Sequence, residues 1–294
     1  MATIIRPSLK TPAANKGAAS IIYFNYGNAP SETLVQETLK LKKGMENYNY
    51  TVLLKYEELP NWADLSQKDE KLANVKAEPT KTNLFKYIIQ LAEDGYYIDL
   101  FLFCHGWEGK FGRLNSSTTS ENSVTEADIQ YALHPSRTGF TQMPIRAIWG
   151  TNCYGQTLGE TWRSIGAKAT AGARFVRFYP NAWGNFIDDW NKGNVPFRQA
   201  VHGADTDAVR TVVQSYISLI DAPSKKKAGK WDGCKFGKTV LGDDPCAKDY
   251  FVSCWLAKDE WQTGQSGKEN MNYSSYMFCG GEKEITKNTR LTWA

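Results

Sequence analysis

Hydrophobic residues fall into short, nearly continuous runs, and stretches with helical spacing separate them through about residue 220. Residues 19–26 (ASIIYFNY) read as a buried strand closed by Gly27. A helix follows, with Ser31 as N-cap, Leu34, Val35 and Leu39 on one face, and Gly44 beyond its end. Residues 50–55 (YTVLLK) form a second strand, and 59–80 read as a polar insertion without a period. Thr82 opens a helix carrying Leu84, Ile88 and Leu91, closed by Gly95. Residues 98–104 (IDLFLFC) are a third strand with almost no alternation, as in a strand buried on both faces.

The tract 113–124 is rich in Ser, Thr and Asn and suits a surface hairpin or loop. Thr125 and Asp128 make a capping-box pattern before a short helix that ends near His134 and Pro135. Residues 145–150 (IRAIWG) are the fourth strand. Thr157 and Glu160 make a second capping-box pattern, followed by Leu158, Trp162 and Ile165 at helical spacing and a stop at Gly166. Residues 167–178 read as a fifth strand, and 204–220 as an amphipathic helix with a Val209, Val212, Val213, Tyr216, Ile217 and Ile220 stripe. This alternation predicts an α/β fold, a mostly parallel sheet with helices on both faces. The expected organisation is an N-terminal tail (1–18), a main domain (19–220), a basic linker or loop (221–230) and an aromatic, cysteine-containing C-terminal extension (231–294).

Composition adds limits. Of 294 residues, 41% are hydrophobic and 22% charged, an ordinary globular balance. The net charge of +4 is too small and dispersed to argue for nucleic acid. No run reaches the ~18 apolar residues that cross a bilayer. Met1 to Gly17 is polar, with two prolines and no apolar signal-peptide core. Cysteines stand at 104, 153, 234, 246, 254 and 279. The last four lack a CxxC pair, which argues against a structural zinc site. Two disulfides in the tail are the preferred reading, against four unrelated thiols, and they favour an exported protein slightly.

Open parallel sheets gather functional groups outside the carboxyl ends of their strands. The third strand runs into His105 and Gly106, the fourth into Thr151, Asn152, Cys153, Tyr154 and Gly155. If those strands are neighbours, an imidazole meets a thiol. The imidazole can take the thiol proton and later return one to a leaving amine. The helix expected after Cys153 favours the thiolate through its N-terminal partial charge. The N–H groups of Gly106 and Cys153 can receive a developing oxyanion. No metal or organic cofactor is needed for this chemistry. Cys104, within its strand, reads as core, and His134 as a surface residue.

The segments LFLFCHG (100–106) and IWGTNCYG (148–155), with His105 48 residues before Cys153, resemble the clan of cysteine peptidases that includes caspases, metacaspases, gingipains, clostripain, legumain and separase; in caspases that spacing is about 50. The resemblance spans roughly 19–220. Thr151 and Asn152 stand where caspases proper carry Gln-Ala. The resemblance implies a caspase-like three-layer sandwich and a cysteine endopeptidase acting on peptide or protein substrates through a thioacyl-enzyme. Gly106 and Tyr154 would border substrate, while Glu108, Glu160, Asp188 and Asp189 are candidates to line a pocket for Lys or Arg; Trp107 and Trp183 are further lining candidates.

Two other readings remain open. The order Cys153, Asp188 or Asp189, His202 mimics an α/β-hydrolase, with Gly155 in one elbow position and Thr151 in the other. A caspase-like binding protein that has lost activity is the second. The run Ser224 to Lys227 reads as a solvated loop or a processing site.

Overall fold

The computed structural model of the chain describes residues 8–25, 49–53, 75–113, 120–173, 182–204, 277–291 and 293. Its strands are β1 (Ala18–Asn25), β2 (Asn49–Leu53), β3 (Val75–Ala77), β4 (Tyr97–Trp107), β5 (Lys110–Gly112), β6 (Ser123–Thr125), β7 (Ile145–Gly150), β8 (Ala169–Ala173) and β9 (Met277–Gly281). Its helices are α1 (Lys81–Glu93), α2 (Glu126–Ala132), α3 (Pro135–Thr138), α4 (Gly159–Ser164) and α5 (Ala182–Asn191), and residues 197–204 are also helical. The main ladder runs β3-β2-β1-β4-β7-β8-β9. All its pairs are parallel except β8 with β9. The antiparallel β5–β6 hairpin continues from the end of β4. Chain order reverses between β1 and β4, so their carboxyl ends flank a topological switch point.

The two faces of the sheet are packed differently. On one face, Leu84, Phe85 and Ile88 of α1, Ile129 of α2 and Trp162 of α4 cover Ile21, Tyr23, Leu100, Leu102 and Ile148. The other face is aromatic. Trp149 stacks on Phe186 at 5.1 Å between centroids, and Phe186 in turn meets Trp190 and Phe197. Phe101 and Phe103 of β4 join that layer. Burial on both faces explains why β4 and β7 show continuous apolar runs instead of alternation.

Several local expectations need correction. The helix expected from Thr82 starts at Lys81, capped by Thr80, whose hydroxyl accepts from the Asn83 N–H. β4 does not stop at Cys104; it carries His105, Gly106 and Trp107 into the hairpin ladder. The polar insertion contains β3, three residues long and too short to show a period. The 125/128 capping box forms as expected. The 157/160 box does not: a 3₁₀ turn over Gly155–Leu158 precedes α4, and Leu158 at the N-cap makes no side-chain cap. His134 is exposed, and its ring caps α3 by accepting from the Ser136 N–H at 3.2 Å. Residues 277–281, assigned from the sequence to an aperiodic extension, are β9, the edge strand of the same sheet. The helix from Ser31 to Gly44, most of the 204–220 helix, the basic linker and Cys234, Cys246 and Cys254 lie outside the described residues.

After β9 the chain crosses the amino end of the sheet. Arg146 at the start of β7 and Asp99 near the start of β4 are both fully buried and form a two-point ion pair, Nε to Oδ1 at 2.8 Å and Nη2 to Oδ2. Arg146 Nη1 also donates to the carbonyls of Lys287 and Thr289. Its guanidinium lies over Tyr97 at 4.7 Å and Trp190 at 5.3 Å. Burial works against the Arg146 charge, but the Asp99 carboxylate outweighs it and holds the pKa above its ordinary value. Trp293 closes the segment, donating from Nε1 to the Gly166 carbonyl at 3.2 Å and stacking on Tyr97.

Candidate active site

β4 and β7 are parallel neighbours with Leu102 opposite Gly150. The Thr151 N–H donates to the Leu102 carbonyl at 2.9 Å, so the ladder extends one residue past β7. There the two strands part. β4 continues straight to Trp107, while the β7 chain turns over Asn152 and Cys153. The turn brings the Cys153 main chain against Gly106. A Cβ on Gly106 would overlap the Cys153 carbonyl oxygen and sit 2.9 Å from the Cys153 nitrogen and 3.0 Å from Asn152 Cβ. Glycine is therefore required at 106 for the closeness of approach. His105 and Cys153, flanking this contact, are each half-buried.

Asn152 is buried, its amide packed between Gly150 and Gly155, where a Cβ would meet it at 3.0 Å from the Gly155 side. Tyr154, next to Cys153, takes the left-handed conformation with φ 55°. Such a φ in a bulky residue is a strained turn, held here by its surroundings. The Thr157 hydroxyl donates to the Tyr154 carbonyl at 2.8 Å and accepts from the Gly109 N–H at 3.0 Å. This one side chain, expected to cap a helix, instead ties the turn after β4 to the turn after β7.

The neighbouring thiol behaves differently. Cys104 packs into the aliphatic core. Its burial raises its pKa well above the ordinary thiol value. A buried, protonated thiol is inert.

Beside Tyr154 opens a cavity of about 590 Å³. The turn residues Tyr154 to Thr157, Glu108, Glu160 and Arg163 of α4, and parts of β8 and β9 line it. Of the acids singled out from the sequence, Glu108 and Glu160 are here. Asp188 and Asp189 are on α5 and do not line it; Asp189 pairs with Lys192. Trp107 lies at the end of β4 under the Lys110 ammonium, 5.2 Å from its ring centroid. Sequence reasoning missed Arg163, Phe278, Cys279 and Gly280 as lining residues. The last three arrive on β9, and no local pattern foretells that a strand from the chain end pairs with β8. His202 Nε2 lies 3.9 Å from the sulfur of Cys279. Among the described residues no group of three His, Cys, Asp or Glu side chains is placed to hold a metal ion, and no helix is long and apolar enough to cross a membrane.

No protein-family model matches the chain, and no curated protein does. Among solved structures, a secreted C11 cysteine protease from Bacteroides thetaiotaomicron, in complex with an irreversible peptide inhibitor, is similar over 58% of this chain and 53% of that one, with 12% identity and a TM-score of 0.36. The shared part is thus about half the length of that protease.

Proposed function

We propose that the chain is a caspase-like cysteine endopeptidase in which Cys153 is the nucleophile and His105 moves the proton. The observation that carries this reading is the main-chain contact of Gly106 with Cys153 at the carboxyl ends of two adjacent parallel strands. It brings the strand-end His-Gly and the post-strand Cys, 48 residues apart, to one point.

In the proposed reaction the His105 imidazole takes the Cys153 thiol proton, and the sulfur attacks the scissile carbonyl carbon. The N–H groups of Gly106 and Cys153 receive the oxyanion. The imidazolium returns its proton to the amide nitrogen, the C–N bond breaks, and the amine leaves. His105 then deprotonates a water, which attacks the thioester, releasing the acid and restoring the thiol. The helix-dipole contribution expected for Cys153 is small, because α4 starts six residues later, at Gly159, behind a 3₁₀ turn. The side chain of the substrate residue bordering the scissile bond enters the cavity beside Tyr154.

The test is labelling with peptidyl acyloxymethyl ketones, read by intact mass and peptide mapping. The expected result is one adduct on Cys153 in wild type, lost in His105→Ala and retained in His202→Ala. An adduct that survives His105→Ala but needs His202 would replace this reading with the α/β-hydrolase arrangement.

A further inference from the structure

The cavity beside Tyr154 contains a cation whose hydrogen-bonding capacity is, among the described residues, mostly unused. Arg163, in the last turn of α4, lines the cavity. Its Nη1 donates to Thr170 Oγ1 on β8 at 2.9 Å. Among the described residues the guanidinium has no second hydrogen bond and no ion pair. A guanidinium carries five donors in a rigid fork matched to a carboxylate. The two acids that line the same cavity, Glu108 and Glu160, do not pair with it. Both are exposed to solvent, whereas Arg163 is half-buried.

The backbone around Arg163 is cleared for it. A Cβ on Gly280 would overlap Nη1, a Cβ on Gly159 would lie 3.1 Å from Nη1, and one on Gly281 3.1 Å from Arg163 Cδ. Three glycines from α4 and β9 thus admit the arginine between helix and sheet edge, and Thr170 fixes its head. Solvent-facing carboxylates at an opening are hydrated and screened. A half-buried, pre-oriented guanidinium loses less on meeting an anion and gains a charge-assisted, bidentate bond.

We infer that this cavity takes an acidic side chain of the substrate, with Arg163 as the residue that selects it. This rests on the peptidase reading for the word substrate, though not for the binding itself. The preference runs opposite to the one suggested by counting acids in the sequence, because the count ignores which charge lies deeper.

The test uses the full chain with Cys153→Ala and acetylated, amidated pentapeptides Ala-Ala-X-Ala-Ala, free of terminal charges, with X as Asp, Glu, Gln or Lys, titrated by calorimetry. The Asp or Glu peptide is expected to bind at least roughly tenfold tighter than the Gln and Lys peptides, the size of one charged hydrogen bond. Adding Arg163→Gln should remove the preference, Arg163→Lys should keep part of it, and Arg163→Glu should shift it toward Lys. Tighter binding of the Lys peptide to the Arg163-containing protein, or equal binding of all four, overturns the inference, and neither comparison depends on any Arg163 variant folding. Acidic-peptide binding without any Cys153 adduct in the chain that retains Cys153 would uphold the cavity assignment and sink the peptidase reading. Adducts on Cys153 that form fastest with Lys or Arg probes would do the reverse.

Discussion

The same two strands, β4 and β7, end in opposite kinds of chemistry. At their amino ends Asp99 and Arg146 form a fully buried ion pair, sealed by Tyr97, Trp190 and the carbonyls of the C-terminal segment. At their carboxyl ends His105 and Cys153 are half-buried, beside an open cavity and a strained turn at Tyr154. Charge at the amino end is saturated with partners and serves to hold the chain end against the sheet. At the carboxyl end, main chain meets main chain at Gly106, and the side chains of His105 and Cys153 are left partly exposed. A parallel sheet makes this division natural, since its strands point the same way and one end can be closed while the other is left to substrate.

Substitutions that separate the two ends should show the largest effects. Cys153→Ala and His105→Ala are expected to abolish hydrolysis, at least roughly 10²-fold for the proton-transfer partner, while leaving the urea midpoint close to that of wild type. Loss of stability parallel to loss of activity would mean that the carboxyl end is structural too. At the amino end, Arg146→Met alone strands a buried carboxylate and should lower unfolding free energy by about 3–5 kcal/mol. Adding Asp99→Leu should recover much of that loss, because no charge is then left uncompensated. Per folded molecule, turnover should be unchanged in both.

Gly106→Ala probes the contact between the strand ends. The added methyl overlaps the Cys153 carbonyl, so roughly 1–3 kcal/mol of overpacking is expected. Turnover should fall further than stability does. Equal turnover in Gly106→Ala would show that Cys153 need not sit so close.

The smallest effect concerns pH. Lys287 donates to Asn191 Oδ1 in the C-terminal segment, and burial depresses its pKa from the ordinary 10.5 to about 8. Between those values the unfolded chain holds the proton and the folded chain does not, so stability rises with pH across that window. The contribution is complete above 10.5 and disappears as pH falls through about 8. A modest upward drift in melting temperature from about pH 8 to about pH 10 is expected relative to Lys287→Met. An identical slope in the variant would show that Lys287 does not set it.

Much of the carboxyl end was legible in the sequence, and little of the amino end. The runs IDLFLFC and IRAIWG announce buried strands by composition, and the residues proposed to carry the chemistry lie within three residues of each: His105 and Gly106 after the first, Cys153 after the second. The Asp99–Arg146 pair spans 47 residues, and the Arg146 bond to Lys287 spans 141. Neither leaves a trace in nearby spacing. β9 escaped for the same reason, as its pairing with β8 joins distant parts of the chain, Ala169 with Gly281 and Ala173 with Met277. Thr157 shows a subtler limit. Its position fits a capping box, but tertiary structure offered the Gly109 N–H and the Tyr154 carbonyl instead. As pocket-lining acids Asp188 and Asp189 rest on charge alone, and the fold puts them on α5 while Arg163 lines the cavity.

The most direct measurement is digestion of a mixed peptide library by wild type, Cys153→Ala and His105→Ala, with new termini identified by mass spectrometry. A defined set of cleavages by wild type that vanishes in both variants is expected if Cys153 and His105 act as nucleophile and proton carrier. Cleavages that persist in both variants, or a folded wild type that produces none while its Cys153 alkylates no faster than a free thiol, would contradict that assignment.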